Sequence, residues 1–171
     1  MRNRAQVYID GFFRAPHDLE KGIFASMSRQ DDNTLAVGMP VWGSEYGLWP
    51  ASYVGLICLC AYRLSGDPRL LDWASAVAER YCREPFPEES SIPAMDAGLG
   101  LGLVADLYEI TGKAEWLEGA LHLAEKLTAT YLDAALPRGA SRIDWYESQM
   151  GPGFLLHSLA RTALLAQNRS Q

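Results

Sequence analysis

Three short stretches of the chain mix carboxylates with large aromatic rings: Trp42-Gly43-Ser44-Glu45-Tyr46-Gly47-Leu48-Trp49, the Asp96 segment Ile92-Pro93-Ala94-Met95-Asp96-Ala97-Gly98, and Asp144-Trp145-Tyr146-Glu147-Ser148-Gln149. That combination suits sugars. A ring covers the apolar C–H face of a pyranose, and carboxylates accept its hydroxyl protons. Two carboxylates can also divide the acid and base roles when their surroundings push their pKa values apart. Asp96 with Glu45 or Glu147 as the second acid would form such a pair, and Trp42, Trp49, Asp144, Trp145 and Tyr146 would supply the platform. His17, beside Asp18, could reach the same place as an orienting group, and so could His157. Each residue also has a plainer use, because an acid just ahead of a helix caps it or meets its positive end and a loop aromatic packs beneath its neighbour.

The sugar reading therefore depends on whether the three stretches meet, and that is decided by the elements around them. The chain matches itself at a spacing of 46 positions: Tyr62-Arg63-Leu64-Ser65-Gly66-Asp67 falls on Tyr108-Glu109-Ile110-Thr111-Gly112-Lys113, Leu71-Asp72 on Leu117-Glu118, and Ala78-Glu79-Arg80 on Ala124-Glu125-Lys126. A period of this length marks a repeated supersecondary unit. Each unit reads as a helical hairpin. Residues 50–64 are apolar nearly all round and end at Gly66, a residue suited to the left-handed helix stop. The partner helix starts at Asp67-Pro68, carries an apolar stripe from Leu70 to Tyr81, and is stopped by Pro85. Residues 95–111 and 114–136 repeat the pattern, with Gly112 between them and Pro137 after them. A third inner-type helix begins at Pro152. Stacked hairpins put the segments ahead of their inner helices on one rim, which brings the three stretches together.

The first 48 residues stand outside the period. Ile23 to Met27 and Leu35 to Val37 flank Asp31-Asp32-Asn33 and read as a short strand hairpin, with a short helix or extended arm from Ala5 to Phe13 ahead of them. The expected organisation is one domain over 1–171, with an arm at 1–48 and helical-hairpin repeats at 49–171. At 171 residues one core is the default.

The Ser/Thr-Gly-Asp/Lys turn between an apolar helix and an amphipathic one carrying Leu-Asp/Glu-x-Ala-x-x-x-Ala-Glu resembles the six-hairpin (α/α) toroid superfamily. That superfamily includes unsaturated glucuronyl hydrolases, related glycosidases and the N-acylglucosamine epimerases. The resemblance covers residues 49–167. It implies an all-α fold forming part of an (α/α)6 toroid, and a glycoside hydrolase-like activity on a sugar or uronic-acid saccharide. A sugar epimerase, or a non-catalytic carbohydrate- or protein-binding helical repeat, remains the alternative, because the toroid hosts several chemistries. Asp96 alone matches the position of the hydrolases' proton-transferring aspartate near the start of an inner helix. A full toroid needs six hairpins, whereas this chain supplies two and one further helix. A homodimer, or a missing N-terminal half, is the expected complement, since an open half exposes an inner-helix side at each end.

Composition narrows the partners. Apolar types make up 49% and charged types 21%, which is ordinary globular usage. A net charge of -6 without a Lys/Arg cluster argues against nucleic acid. The longest apolar run, Ala97 to Ala105, is about half of what crosses a bilayer, and no apolar run follows the basic start, so a cytoplasmic protein with no membrane partner is expected. Cys58, Cys60 and Cys82 are scattered relative to His17, His122 and His157. The expectation is reduced, buried thiols, no metal and no cofactor. Gly98, Gly100 and Gly102 lack the strand-turn-helix setting of a dinucleotide fingerprint and read as close helix packing.

Overall fold

The computed structural model describes residues 2–43, 48–146 and 148–169. The chain is mostly helical, with one small antiparallel sheet. In order, the elements are α1 (Arg2–Arg14), β1 (Ala25–Ser28), β2 (Leu35–Gly38), α2 (Ala51–Ser65), α3 (Pro68–Arg83), α4 (Ala94–Thr111), α5 (Ala114–Tyr131), a 3-10 turn (Ser148–Met150) and α6 (Pro152–Arg169).

The helix stops follow from local chemistry. Gly66 and Gly112 end α2 and α4 at φ 73° and 68°, and their N–H groups donate to the Tyr62 and Tyr108 carbonyls. Only glycine takes that left-handed position without steric cost, which is why the two matched turns share it. Asp67 caps α3 by accepting from the Arg69 N–H, with Pro68 in the first turn. The Arg69 guanidinium beside Asp67 holds its carboxyl well below the usual range, at about 2. Arg69 also pairs with Asp10 of α1 at 2.8 Å, which ties the arm to this hairpin. α5 is shorter than its sequence pattern. The helix ends at Tyr131, residues 132–136 leave it, and the Tyr131 carbonyl accepts from the Arg138 N–H instead of continuing a helical ladder.

α2 and α3 run antiparallel, as do α4 and α5. The end of α3 returns to the start of α2, where the Tyr81 hydroxyl lies 3.1 Å from Ser52 Oγ, and the end of α5 returns to the start of α4, where the Tyr131 hydroxyl donates to the Ile92 carbonyl at 2.8 Å. α4 and α6 run parallel and close together. A Cβ on Gly98 would lie 2.7 Å from the Leu155 Cα, and one on Gly102 would lie 3.0 Å from Ser158 Oγ, one turn further along both helices. The glycines are thus a packing face, as their spacing suggested. α4 packs between α2 and α6, with α5 behind it.

One cluster of buried side chains joins Phe24 and Trp73 to Leu101, Leu107, Leu127 and Leu155. At about 1.5–3 kcal/mol for each large apolar side chain fully buried, this cluster is the main stabilising term. α4 sits at its centre, with Leu101, Leu103, Val104, Ala105 and Leu107 all fully covered. Arg161 of α6 closes on Asp106 and Glu109 of α4 at the far end.

The arm contains the expected hairpin. β1 pairs with β2 in antiparallel register, Ala25 opposite Gly38 and Ser28 opposite Leu35, and Asn33 takes a positive φ of 56° in the turn between them. Among the described residues no helix is long and apolar enough to cross a membrane. Cys58, Cys60 and Cys82 are free thiols. Cys58 is buried and Cys60 is exposed, so the expectation that all are buried does not hold. Burial pushes the Cys58 thiol up to about 12 and the Cys82 thiol up to about 11.

Candidate functional site

Antiparallel hairpins bring the residues ahead of α2 and α4 to one end of the molecule, and backbone hydrogen bonds join the segment ahead of α4 to residues 139–141 there. The Ala94 N–H donates to the Gly139 carbonyl at 2.8 Å, and the Ser141 N–H donates to the Ile92 carbonyl at 2.9 Å. Gly139 in turn donates to the Trp145 carbonyl. Residues 139–141 therefore lie alongside 92–94 as an irregular two-stranded seam, and residues 142–145 turn back onto it. On the other side, the Ala51 N–H donates to the Pro40 carbonyl, and the Tyr81 hydroxyl donates to the Val41 carbonyl. The seam thus joins two of the three approach segments at the first turn of α4; of the first stretch, residues 44–47 lie outside the described residues, and a Cβ on Gly43 would lie 3.4 Å from the Ile92 side chain.

Asp96 occupies that turn, where the free N–H groups of a helix start favour negative charge. Its side chain is fully buried. Two phenols sense its charge. Burial first, and the Asp96 carboxylate as a smaller contribution, push the Tyr81 and Tyr131 hydroxyls far above the ordinary phenol value. Both phenols therefore stay protonated as hydrogen-bond donors throughout the physiological range. Sequence reading placed Tyr81 only on the apolar stripe of its helix and passed over Tyr131. The available signal was an aromatic with a polar tip at the end of each outer helix, the position from which it reaches the rim.

The aromatics divide into inner and outer groups. Trp42 is half-buried and packs edge to face on Tyr81 at 4.6 Å and on Phe86 at 5.1 Å. Trp49 is exposed and stacks on Tyr53, ring centroids 4.5 Å apart and planes 22° from parallel. Trp145 and Tyr146 are exposed at the seam, and Asp144, also exposed, pairs with Arg138, which holds Asp133 as well. Glu45 and Glu147, the two partners expected for Asp96, lie outside the described residues.

The two histidines sit elsewhere. His17 accepts the Ala25 N–H at Nδ1, 2.9 Å, so its proton is on Nε2, which donates to the Phe12 carbonyl at 3.1 Å. Its ring packs on Phe12 and Trp73. Both nitrogens are thus committed to the backbone of the arm, and desolvation lowers its pKa. His157 is exposed on α6, beside the exposed Phe154 and Leu156.

What the site can do follows from this geometry. It holds one carboxyl out of water among hydroxyl donors, beneath a rim with exposed rings. Among the described residues no group of three or more His, Cys, Asp or Glu is placed to hold a metal ion. Comparison with family models, with curated proteins and with solved structures finds no match.

Proposed function

We propose that this chain is a carbohydrate-active segment of an (α/α) toroid, glycoside hydrolase-like or epimerase-like, in which Asp96 transfers the proton. The observation that supports it is the seam at the start of α4, which joins residues 92–94 to residues 139–141 beside one buried carboxyl. In a hydrolase, one carboxyl protonates the glycosidic oxygen while a second activates water or attacks the sugar. Glu45 or Glu147 would be that second group. The Trp49 and Tyr53 pair, Trp145 and Tyr146 would offer ring faces to the sugar, with Trp42 beneath them. Because Asp96 is closed to solvent, this reading requires the rim to open for substrate.

The test is turnover of unsaturated uronic-acid disaccharides and hexose oligomers by the wild type and by Asp96→Asn. The expected result is a loss of about 10²-fold or more, with the melting temperature little changed. Equal turnover in the two proteins would remove the reading.

A second reading has its own observation. The open flank of α2 carries Tyr53, Ile57, Cys60 and Leu64 at helical spacing, and α6 leaves Phe154, Leu156 and Leu164 exposed. Those exposed side chains fit a helical-repeat module that binds without turnover and is completed by a second copy or by the other half of a toroid. Sedimentation of the wild type against Ile57→Glu and Leu164→Glu tests it. Association lost in both variants supports it, and an identical monomer in all three counts against it.

A further inference from the structure

The geometry points to a saccharide-binding groove on the outer side of the rim, between the end of α3 and the middle of α5. The inference takes its ligand class from the proposed carbohydrate reading, and it assigns binding to a place that does not include the buried Asp96. The groove has a volume of about 440 Å³, and its lining includes Trp42, Arg83, Glu84, Phe86, His122 and Lys126. Pockets of roughly 300–1,000 Å³ take small ligands, and this one suits a mono- or disaccharide.

Its chemistry favours a neutral polyol over an anion. Two cations, Arg83 and Lys126, face two carboxylates, Glu84 and Glu88, so the lining carries no formal charge excess. Each charge is already held in an exposed or half-exposed pair: Lys126 with Glu88 at 3.0 Å, Arg83 with Glu79 at 3.2 Å, and Glu84 with Arg80 at 3.0 Å. Exposed pairs of this kind contribute little to stability, so their oxygens and nitrogens can turn to sugar hydroxyls at small cost. A phosphate or polyanion would instead have to displace the carboxylates outright.

The apolar wall is formed by Trp42 and Phe86, with the Lys126 ammonium 5.9 Å from the centre of the Phe86 ring. Trp42 adds an independent observation. Its indole N–H is buried and has no acceptor among the described residues. Native folds leave few such donors unmade, because each costs about 1–3 kcal/mol. A ligand oxygen that reached this edge would supply a bond that no described residue makes. Trp42 and Tyr81 pack together between the groove and the Asp96 turn, so a sugar held there presses on the same aromatic pair that backs the rim.

The experiment is a ¹⁵N-resolved NMR titration of the full chain with glucose, N-acetylglucosamine and cellobiose. Trp42→Phe assigns the Trp42 indole signal, and inorganic phosphate serves as the anionic control. The expected result is a saturable shift of the Trp42 indole with at least one sugar, weakened about tenfold or more in Lys126→Ala. Asp96→Asn should leave that shift in place. Absence of a saturable shift with every sugar, an unchanged affinity in Lys126→Ala, or a response to phosphate alone would each overturn the groove. Failure of the groove is separable from failure of the rim chemistry. Turnover lost in Asp96→Asn without any groove shift removes this inference alone, and a groove shift in a protein without turnover removes only the catalytic reading.

Discussion

α4 and its two neighbours α2 and α6 are the same kind of helix, apolar and begun at a proline-marked turn, yet they end in different surroundings. α4 is covered on both flanks and by α5 behind, and Leu101, Leu103 and Leu107 are sealed. α2 and α6 each lean on α4 with one flank and leave the other open, so that Leu64 is 91% exposed and Leu164 58% exposed. The difference follows position in the row, and in α6 composition as well, since that helix also carries His157, Arg161, Gln167, Asn168 and Arg169. An inner helix becomes a core helix when it has a neighbour on each side, and the rim is built where that condition holds.

The strongest way to break this comparison is to truncate one leucine in each kind of helix. Leu107→Ala in α4 should cost about 2–5 kcal/mol, whereas Leu64→Ala in α2 should change stability by less than about 0.5 kcal/mol. Urea unfolding measures both, and comparable losses would mean that the flank of α2 is covered in solution. Next in size is the α4–α6 contact. Gly98→Ala should destabilise by about 1–3 kcal/mol, because the added methyl meets the Phe154 and Leu155 backbone. Gly153→Ala, with nothing near the new methyl, should be neutral or stabilising by up to about 1 kcal/mol. Thermal melts of the pair locate the contact.

The rim gives a smaller effect. Tyr131→Phe removes one of two donors to the Ile92 carbonyl, the Ser141 N–H remaining, and should cost about 0.5–1.5 kcal/mol, with the loss concentrated in the 92–94 and 139–141 amides by hydrogen exchange. The smallest effect lies in the arm. The fold holds His17 below its ordinary pKa of 6.5, so on acidification the unfolded chain takes up that proton first. His17 therefore contributes stability above pH 6.5 that is lost as pH falls below it. Melting temperature should drop between pH 7 and pH 5 in the wild type and less in His17→Gln. An equal drop in both would assign the dependence to other groups.

These contrasts also mark what could be read before the fold was known. The glycine stops, the Asp67-Pro68 start and the matched apolar faces are local signals, and they placed α2 to α5 within a residue or two at most ends. The exception is the end of α5, where Arg138 turns back onto the Tyr131 carbonyl, a contact that helix propensity does not encode. The pairing of residues 92–94 with 139–141 agrees with hairpin geometry. Burial of Asp96 did not follow from it, because exposure depends on what lies over a residue and not on its own type. His17 shows the same limit: its partners at Phe12 and Ala25 come within reach only once the strand hairpin has formed. Tyr131 lies inside the helix that the sequence pattern continues to residue 136, and it acquires a role only from the chain it meets.

The account stands on the seam at the start of α4, and amide hydrogen exchange at Ala94 and Ser141 tests it most directly. Both amides lie outside regular helix hydrogen bonding and are held across the rim, to Gly139 and Ile92. Exchange protection within about 2 kcal/mol of the Leu103 and Leu107 amides is the expected result. Exchange at the rate of a solvent-exposed loop would contradict it, and would leave Asp96 at the start of a helix with no assembled rim around it.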